Sequence, residues 1–344
     1  MSFLRKCLWL LPIPLTVVAV NLAVDPAHLV GPYGEERQVA RLLLQGRDVA
    51  IASNLDERIL QKYYIEGLSR RKEVVVLGSS RSMQIGSEIF GDSFFNSSVP
   101  GSSIEDFYGL YEIYHRKDIL PAKIILCADP WLLNPKNRQT RWKSIRGEAA
   151  SALGRAGARP VGLEGFPLDR CYELITPSYF QASVESLFRK RGAAEASGEM
   201  PDQYVKRRDG RWIYPERIQR ATPEEVQAET LEYIRQNPVY SLGDFDRISP
   251  ALAERFDRFV ELVLREGVEV TLFLPPYHPL VYDALVRSDR YRVIVDVENH
   301  FRSVAARKSL RLIGSYDPGQ AGMTEADFYD GMHPKPEAVQ KLFR

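Results

Sequence analysis

From residue 73 onward, short apolar runs alternate with segments whose apolar residues recur at helical spacing. The runs 73–78, 93–99, 123–129, 268–275 and 310–316 are nearly continuous in apolar character. That predicts strands buried on both faces, as in a parallel sheet, because a strand with one wet face would alternate. Between the runs the period lengthens. Ile104, Phe107, Tyr111 and Tyr114 make one apolar helix face, and Ser102-Ser103-Ile104-Glu105 just before it predicts a capping box. Helices are likewise predicted over 251–266 and 292–308, and from Pro336, where proline suits a first helical position. Strand–helix alternation with right-handed crossovers predicts an α/β fold, in three layers (α/β/α) around an open five-stranded parallel sheet.

Two stretches break this rhythm. Residues 25–72 open on the turn signals Asp25-Pro26 and Gly31-Pro32-Tyr33-Gly34, then show helical patterns over 35–45 and 57–68. They read as a helical stalk. Between about 131 and 250, Gly, Pro, Arg and aromatics dominate, with one clear helix start at Thr222-Pro223-Glu224-Glu225. This stretch reads as a large insertion within a single 73–344 domain. At its start Lys136, Arg138, Arg141, Lys143 and Arg146 gather around Trp142. They form either a solvated basic loop or a contact for an anionic polymer or lipid head groups.

Hydropathy adds an address. Arg5 and Lys6 precede an uncharged run over residues 7–24, about the length a helix needs to cross a bilayer, and Asp25 follows it. The positive-inside bias puts residues 1–6 in the cytoplasm and everything after Asp25 outside, so the chain is expected as a single-pass protein of the inner membrane with a periplasmic domain. Ala19 is followed by Asn21 and Ala23 by Asp25, which makes a poor cleavage site. The run is therefore expected as an uncleaved transmembrane signal anchor; Pro12, Pro14 and Asn21 weaken the span and leave cleavage as the alternative.

Composition mainly excludes. A chain of 344 residues can bury a substantial core, and a formal net charge of +1 gives no global field for nucleic acid. No Gly-rich phosphate loop, internal repeat or Cys/His metal spacing occurs, so neither cofactor nor metal is expected. Of the cysteines, Cys7 falls in the span, Cys127 in an apolar strand and Cys171 in the insertion; the last two are expected as free thiols.

The chemistry is concentrated in two places. Near the C-terminus the chain reads Asp327-Phe328-Tyr329-Asp330-Gly331-Met332-His333-Pro334. A carboxylate three residues ahead of a histidine can hold its Nδ1–H and leave Nε2 free to take a proton from a nucleophile. The nucleophile is expected in Gly78-Ser79-Ser80-Arg81, where the first strand ends. In open α/β sheets ligands bind at the carboxyl ends of the strands, and three motifs project there: Gly78-Ser79-Ser80, Val99-Pro100-Gly101 and Asp330–His333. Ser79 is the rival nucleophile. Arg81 either binds an anionic substrate or pairs with Asp129, and Asp129 either positions substrate or Arg81, or caps its turn. His278, after the fourth strand, is either a substrate contact or a loop histidine.

On these residues the chain resembles the SGNH, or GDSL-like, hydrolase superfamily over 73–344. The resemblance implies Ser80 as nucleophile where the superfamily usually has Gly-Asp-Ser, Gly101 as the oxyanion-hole glycine, and Asp330 and His333 as the Asp-x-x-His block. The third block, normally Gly-x-Asn-Asp, is missing; Cys127-Ala128-Asp129-Pro130-Trp131 stands instead, without the asparagine that supplies an oxyanion donor. That departure and the single anchor look more like a narrower group, the extracytoplasmic proteins that work with membrane-bound O-acyltransferases, such as the D-alanyl-lipoteichoic acid transfer and alginate O-acetylation proteins. The resemblance implies acyl transfer or ester hydrolysis on a cell-envelope polysaccharide, with a multi-spanning membrane O-acyltransferase as partner. A plain carbohydrate esterase and a non-catalytic subunit of an acylation or export complex are the rival expectations.

Overall fold

The computed structural model describes residues 12–24, 34–51, 55–137, 139–158, 176, 180–181, 183–184, 194–195, 202–236, 239–243 and 245–344. The chain begins with α1 (Pro12–Val24), α2 (Gly34–Leu44), β1 (Val49–Ile51) and α3 (Glu57–Gly67). The first apolar runs become β2 (Val74–Leu77), β3 (Phe94–Asn96) and β4 (Lys123–Cys127), with α4 (Ser87–Phe90) and α5 (Ile104–Arg116) between them. Beyond β4 come α6 (Arg146–Arg155), the short strands β5 (Ala194–Glu195), β6 (Tyr204–Lys206) and β7 (Trp212–Ile213), then α7 (Glu216–Gln219) and α8 (Pro223–Gln236). The order ends α9 (Pro250–Arg265), β8 (Glu269–Leu274), α10 (Pro279–Arg287), α11 (Val293–Arg307), β9 (Arg311–Gly314) and α12 (Pro336–Phe343).

The five expected strands form one parallel sheet in the order β3-β2-β4-β8-β9. Their unbroken apolar runs follow from burial on both faces. Val75, Leu77, Ile124, Leu126, Leu272 and Leu274 point into a large core shared with Phe107, Phe256 and Phe301 of the flanking helices. The alternate residues Val76, Ile125, Cys127, Phe273 and Ile313 face a second core, closed by Val339 of α12. The chain starts in the sheet at β2, steps out to β3, then returns past β2 to β4. The strand order reverses beside β2, and in open α/β sheets such a reversal is where ligands bind at the carboxyl ends of the strands.

Three expectations change. The helices expected as a stalk belong to the folded body: Val39, Leu43, Leu60 and Ile65 lie in the large core, and Tyr64 stacks on Phe95 with centroids 3.7 Å apart. Arg58 of α3 donates to both carboxylate oxygens of Asp106 at 2.8 and 3.0 Å and to the Pro100 carbonyl at 3.0 Å, so this helix also braces the loop after β3. Next, β1 joins β5, β6 and β7 in a second, antiparallel sheet of order β5-β1-β6-β7. Strands of two or three residues in polar surroundings leave no readable period. Third, the capping box shifts by one residue, to Ser103, whose N–H donates to Asp106 at 2.8 Å. The box at Thr222 and Glu225 stands as read, with reciprocal bonds of 2.8 and 3.2 Å.

At the N-terminus α1 has 13 residues, and among the described residues no helix is long and apolar enough to cross a membrane. Residues 7–11 of the expected anchor lie outside the described residues. Asn21, buried in α1, accepts a hydrogen bond from Ser183 Oγ at 2.8 Å.

Candidate active site

The turn after β2 is shaped around Ser80. A Cβ at Gly78 would collide with Ser82 Oγ and Cys127 Cβ, so only glycine lets the chain leave the sheet this close to β4. Ser79 caps a single 3₁₀ turn, Ser80–Ser82, its Oγ accepting the Arg81 N–H at 3.1 Å. Ser82 Oγ donates to the Ser79 carbonyl at 2.9 Å and meets Ser98 Oγ at 2.8 Å. Asn96 holds the Ser82 and Ile85 carbonyls at 2.8 and 2.9 Å. Ser80 alone of the two serines faces outward, half-buried, and its N–H has no hydrogen-bond partner among the described residues.

The turn at 330–333 is fixed as tightly. Asp330 Oδ1 accepts the N–H groups of Met332 and His333 at 2.7 and 2.8 Å. His333 Nδ1 lies 2.8 and 3.0 Å from the two Asp330 oxygens, and its Nε2 lies 3.0 Å from Ser80 Oγ. With Nδ1–H given to a carboxylate, Nε2 is left as the acceptor of the serine proton. Burial pushes the Asp330 carboxyl upward, but the neighbouring His333 charge, its ring hydrogen bond and the two N–H donors outweigh that and hold it at about 2. It is therefore ionised across the physiological range. The Asp330 and His333 side chains are 31% and 21% exposed, open enough for a ligand to reach.

Four residues offered by the sequence as candidate site contacts, each with another reading beside it, are interior. Arg81 is 0% exposed; its guanidinium donates to Asp129 Oδ1 at 3.3 Å, the Pro275 carbonyl at 2.7 Å and the Met332 carbonyl at 3.3 Å. It also lies 3.7 Å above the Tyr277 ring. Of its two sequence readings, pairing with Asp129 is the one observed. Asp129 is equally buried; desolvation raises its carboxyl above the usual range, although Arg81 and hydrogen bonds from Ser79 and Cys127 pull it down. Ser79 is spent as a cap and as that donor. His278 is wholly buried, caps α10 by accepting the Leu280 N–H at 3.3 Å, and ties its own N–H to the Gly331 carbonyl at 3.2 Å. Burial lowers its pKa, and its backbone and ring bonds make it a brace for the 330–333 turn. Cys127 is free and buried; Cys171 lies outside the described residues.

Gly101 follows β3 as Ser80 follows β2. The Val99 N–H donates to the Gly78 carbonyl at 2.9 Å, and Ser80 and Gly101 each come two residues later. Gly101 has φ +57, and its carbonyl accepts Gln139 Nε2 at 2.8 Å, while its N–H has no partner among the described residues. The insertion, unresolved in function by sequence, supplies the surrounding wall. The Trp212 N–H donates to the Met83 carbonyl at 3.1 Å, docking β7 on the nucleophile turn. Tyr214 then stands edge-on to the His333 ring at 6.0 Å and beside Tyr329 at 5.1 Å. Tyr233 Oη reaches Met332 Sδ at 3.0 Å and accepts the Tyr240 N–H at 2.9 Å. The aromatic richness of 131–250 was the one signal for these tyrosines, and it does not say which of them reach the site.

A cavity of about 350 Å³ adjoins this wall, lined by Trp131, Gln139, Trp142 and Arg255. A larger one, about 540 Å³, sits at the amino ends of β2 and β3 around Lys72, Asp92 and Phe94, at the opposite edge of the sheet. Among the described residues no group of His, Cys, Asp and Glu could hold a metal ion. No family model matches this chain, and no curated protein matches it.

Proposed function

We propose that this chain is a serine acyltransferase or esterase of the SGNH type, acting outside the cytoplasmic membrane on O-acyl groups of a cell-envelope polysaccharide. The observation that carries the reading is the relay in which His333 stands 3.0 Å from Ser80 Oγ and 2.8 Å from Asp330. Its setting at the carboxyl edge of a parallel sheet of order β3-β2-β4-β8-β9 supports it. In the reaction His333 Nε2 takes the Ser80 proton as Oγ attacks the ester carbonyl carbon. The oxyanion is held by the N–H groups of Ser80 and Gly101, and collapse of the tetrahedral adduct expels the donor alcohol, which takes the proton back from His333. A sugar hydroxyl or water then attacks the acyl-serine by the same relay in reverse. Asp330, ionised, steadies the imidazolium that forms at each step.

The envelope address rests on Arg5, Lys6 and the apolar run after them, and a multi-spanning O-acyltransferase as donor partner is what the resemblance to the SGNH group implies. The test is covalent labelling of the detergent-solubilised full chain with a fluorophosphonate, alongside acylation of envelope polysaccharide in cells. Labelling of wild type but not of Ser80→Ala or His333→Ala, with loss of polymer acylation in both variants, is expected. Net deacylation by wild type would assign the esterase instead of the transferase. Full polymer acylation by Ser80→Ala would leave a non-catalytic subunit and end the proposal.

A further inference from the structure

The side of Gly101 where a Cβ would stand is occupied by two groups from the insertion. A Cβ there would collide with the Tyr240 hydroxyl, and Arg141 Nη2 lies 3.5 Å from the same point. Both residues are anchored through their backbones. Gln139 bridges the Gly101 carbonyl at 2.8 Å and Asp106 Oδ2 at 3.1 Å through Nε2, while its Oε1 accepts the Arg141 N–H. Tyr240 packs edge-on against Trp131 at 5.2 Å, and Trp131 is itself tied to the Ser102 carbonyl at 3.0 Å.

Their tips, by contrast, are uncommitted. Among the described residues the Arg141 guanidinium forms neither ion pair nor hydrogen bond, and the Tyr240 hydroxyl forms no hydrogen bond. This sets Arg141 apart from Arg58, Arg81 and Arg255, each paired with a carboxylate. The chain also lacks the donor that the third block of the SGNH pattern supplies. Asp129 stands where the SGNH pattern has its asparagine block, and it is buried and spent on Arg81.

We infer that Arg141, with Tyr240 beside it, supplies the absent third donor to the oxyanion. The inference rests on the acyl-serine reading above. When Ser80 Oγ bonds to the carbonyl carbon, the carbonyl π pair moves onto oxygen, and that oxygen faces the Gly101 N–H. A guanidinium next to Gly101 meets the new charge with N–H donors and a full positive charge, which outweighs a neutral amide.

The test uses the detergent-solubilised full chain with two probes, a fluorophosphonate and the neutral ester 4-methylumbelliferyl acetate. In phosphonylation the Ser80 oxygen bonds to phosphorus, its proton passes to His333 and fluoride leaves, with the phosphoryl oxygen in the oxyanion position. Arg141→Gln is expected to lower both the phosphonylation rate and kcat by about 10²-fold, the usual effect of one lost oxyanion donor, with KM for the neutral ester within about twofold. Tyr240→Phe, which keeps the ring on Trp131, is expected to cost less, and Arg141→Lys to recover part of the loss. An unchanged kcat overturns the inference, including the case where only KM for an anionic ester rises, since Arg141 would then bind substrate charge. Wild type that is not labelled at Ser80 overturns the acyl-serine reading and this inference together; labelled wild type with an indifferent Arg141→Gln overturns the inference alone.

Discussion

Replacing Arg81 by methionine removes a side chain that joins the loops after β2, β4, β8 and β9. The structure sets the scale of the effect. Three hydrogen bonds, to Asp129, Pro275 and Met332, and a contact 3.7 Å above the Tyr277 ring disappear together. The greater loss is indirect, because Asp129 is left buried and without its counter-ion. Breaking a buried pair from one side costs about 3–5 kcal/mol, a large share of the roughly 5–15 kcal/mol that holds an ordinary domain together. Urea unfolding followed by tryptophan fluorescence should show the midpoint falling at constant slope. Two further readouts separate the pair from simple loss of packing. Arg81→Met with Asp129→Leu should cost clearly less than the two single changes added, since no charge is then stranded. The Arg81→Met penalty should also depend on pH in a defined direction. The folded-state pKa of Asp129 already lies above its ordinary value and rises further without Arg81. Folding then favours the protonated form, so the part of the penalty due to the stranded charge is absent below about pH 4 and grows as pH rises through the folded pKa, while the part due to the lost carbonyl hydrogen bonds and ring contact persists at every pH. A single-variant loss below about 1 kcal/mol, or additive costs in the double variant, would refute the reasoning.

Two other outcomes follow from the site. Asp330→Asn should leave a folded chain whose kcat on 4-methylumbelliferyl acetate falls by roughly 10⁴, as when the orienting carboxylate of a serine relay is neutralised; in acid titration its stability difference from wild type should fade as pH drops from about 4 towards 2, because a carboxyl held at about 2 contributes only while ionised. Gly101→Ala should lose activity out of proportion to stability: a positive φ costs an alanine about 1–2 kcal/mol, and the new methyl must push the Tyr240 hydroxyl off the oxyanion side. Equal activity of Gly101→Ala and wild type would remove Gly101 from the site.

The parallel sheet was legible because its strands, apart from the edge strand β9, are buried on both faces, and an unbroken run such as Val74-Val75-Val76-Leu77 has no other economical use. Ser80, Asp330 and His333 were legible for a different reason: Asp330 and His333 are close in sequence, and Ser80 follows a glycine that marks the strand end. Residues whose partners are distant in sequence were not. Arg81 looks the same in the sequence whether it reaches outward or inward, and only the contact with Met332, 251 positions later, decides it. His278 likewise reads as an exposed loop residue until the Gly331 carbonyl takes its N–H. The second sheet was hidden because Val49–Ile51 finds its partners more than 140 positions away in strands of two or three residues. The stalk reading failed similarly: α2 and α3 carry enough polar surface to look solvated, but their apolar sides fill a core that begins at residue 39 and continues past residue 300.

The placement of Arg81 next to Ser80 has a physical logic. Lysine could neutralise Asp129, but a single ammonium cannot hold three acceptors in one plane at fixed separations, whereas the guanidinium fork presents five donors in rigid geometry. Here the fork spans a carboxylate and two carbonyls, one of them on the residue before His333, while its backbone follows the serine that faces that histidine. The distance between Ser80 and His333 is thus tied to the burial of a charge pair, and a shift large enough to break their hydrogen bond must also strand Asp129. Such an arrangement keeps the sheet edge rigid and leaves adjustment to the insertion, whose Tyr214, Tyr240 and Arg141 approach from outside with uncommitted or half-exposed tips. Under the proposed acyl-serine reading, differences in what the site accepts should therefore track changes in 131–250, and loss of Ser80, Asp330 or His333 should lower activity towards every ester alike.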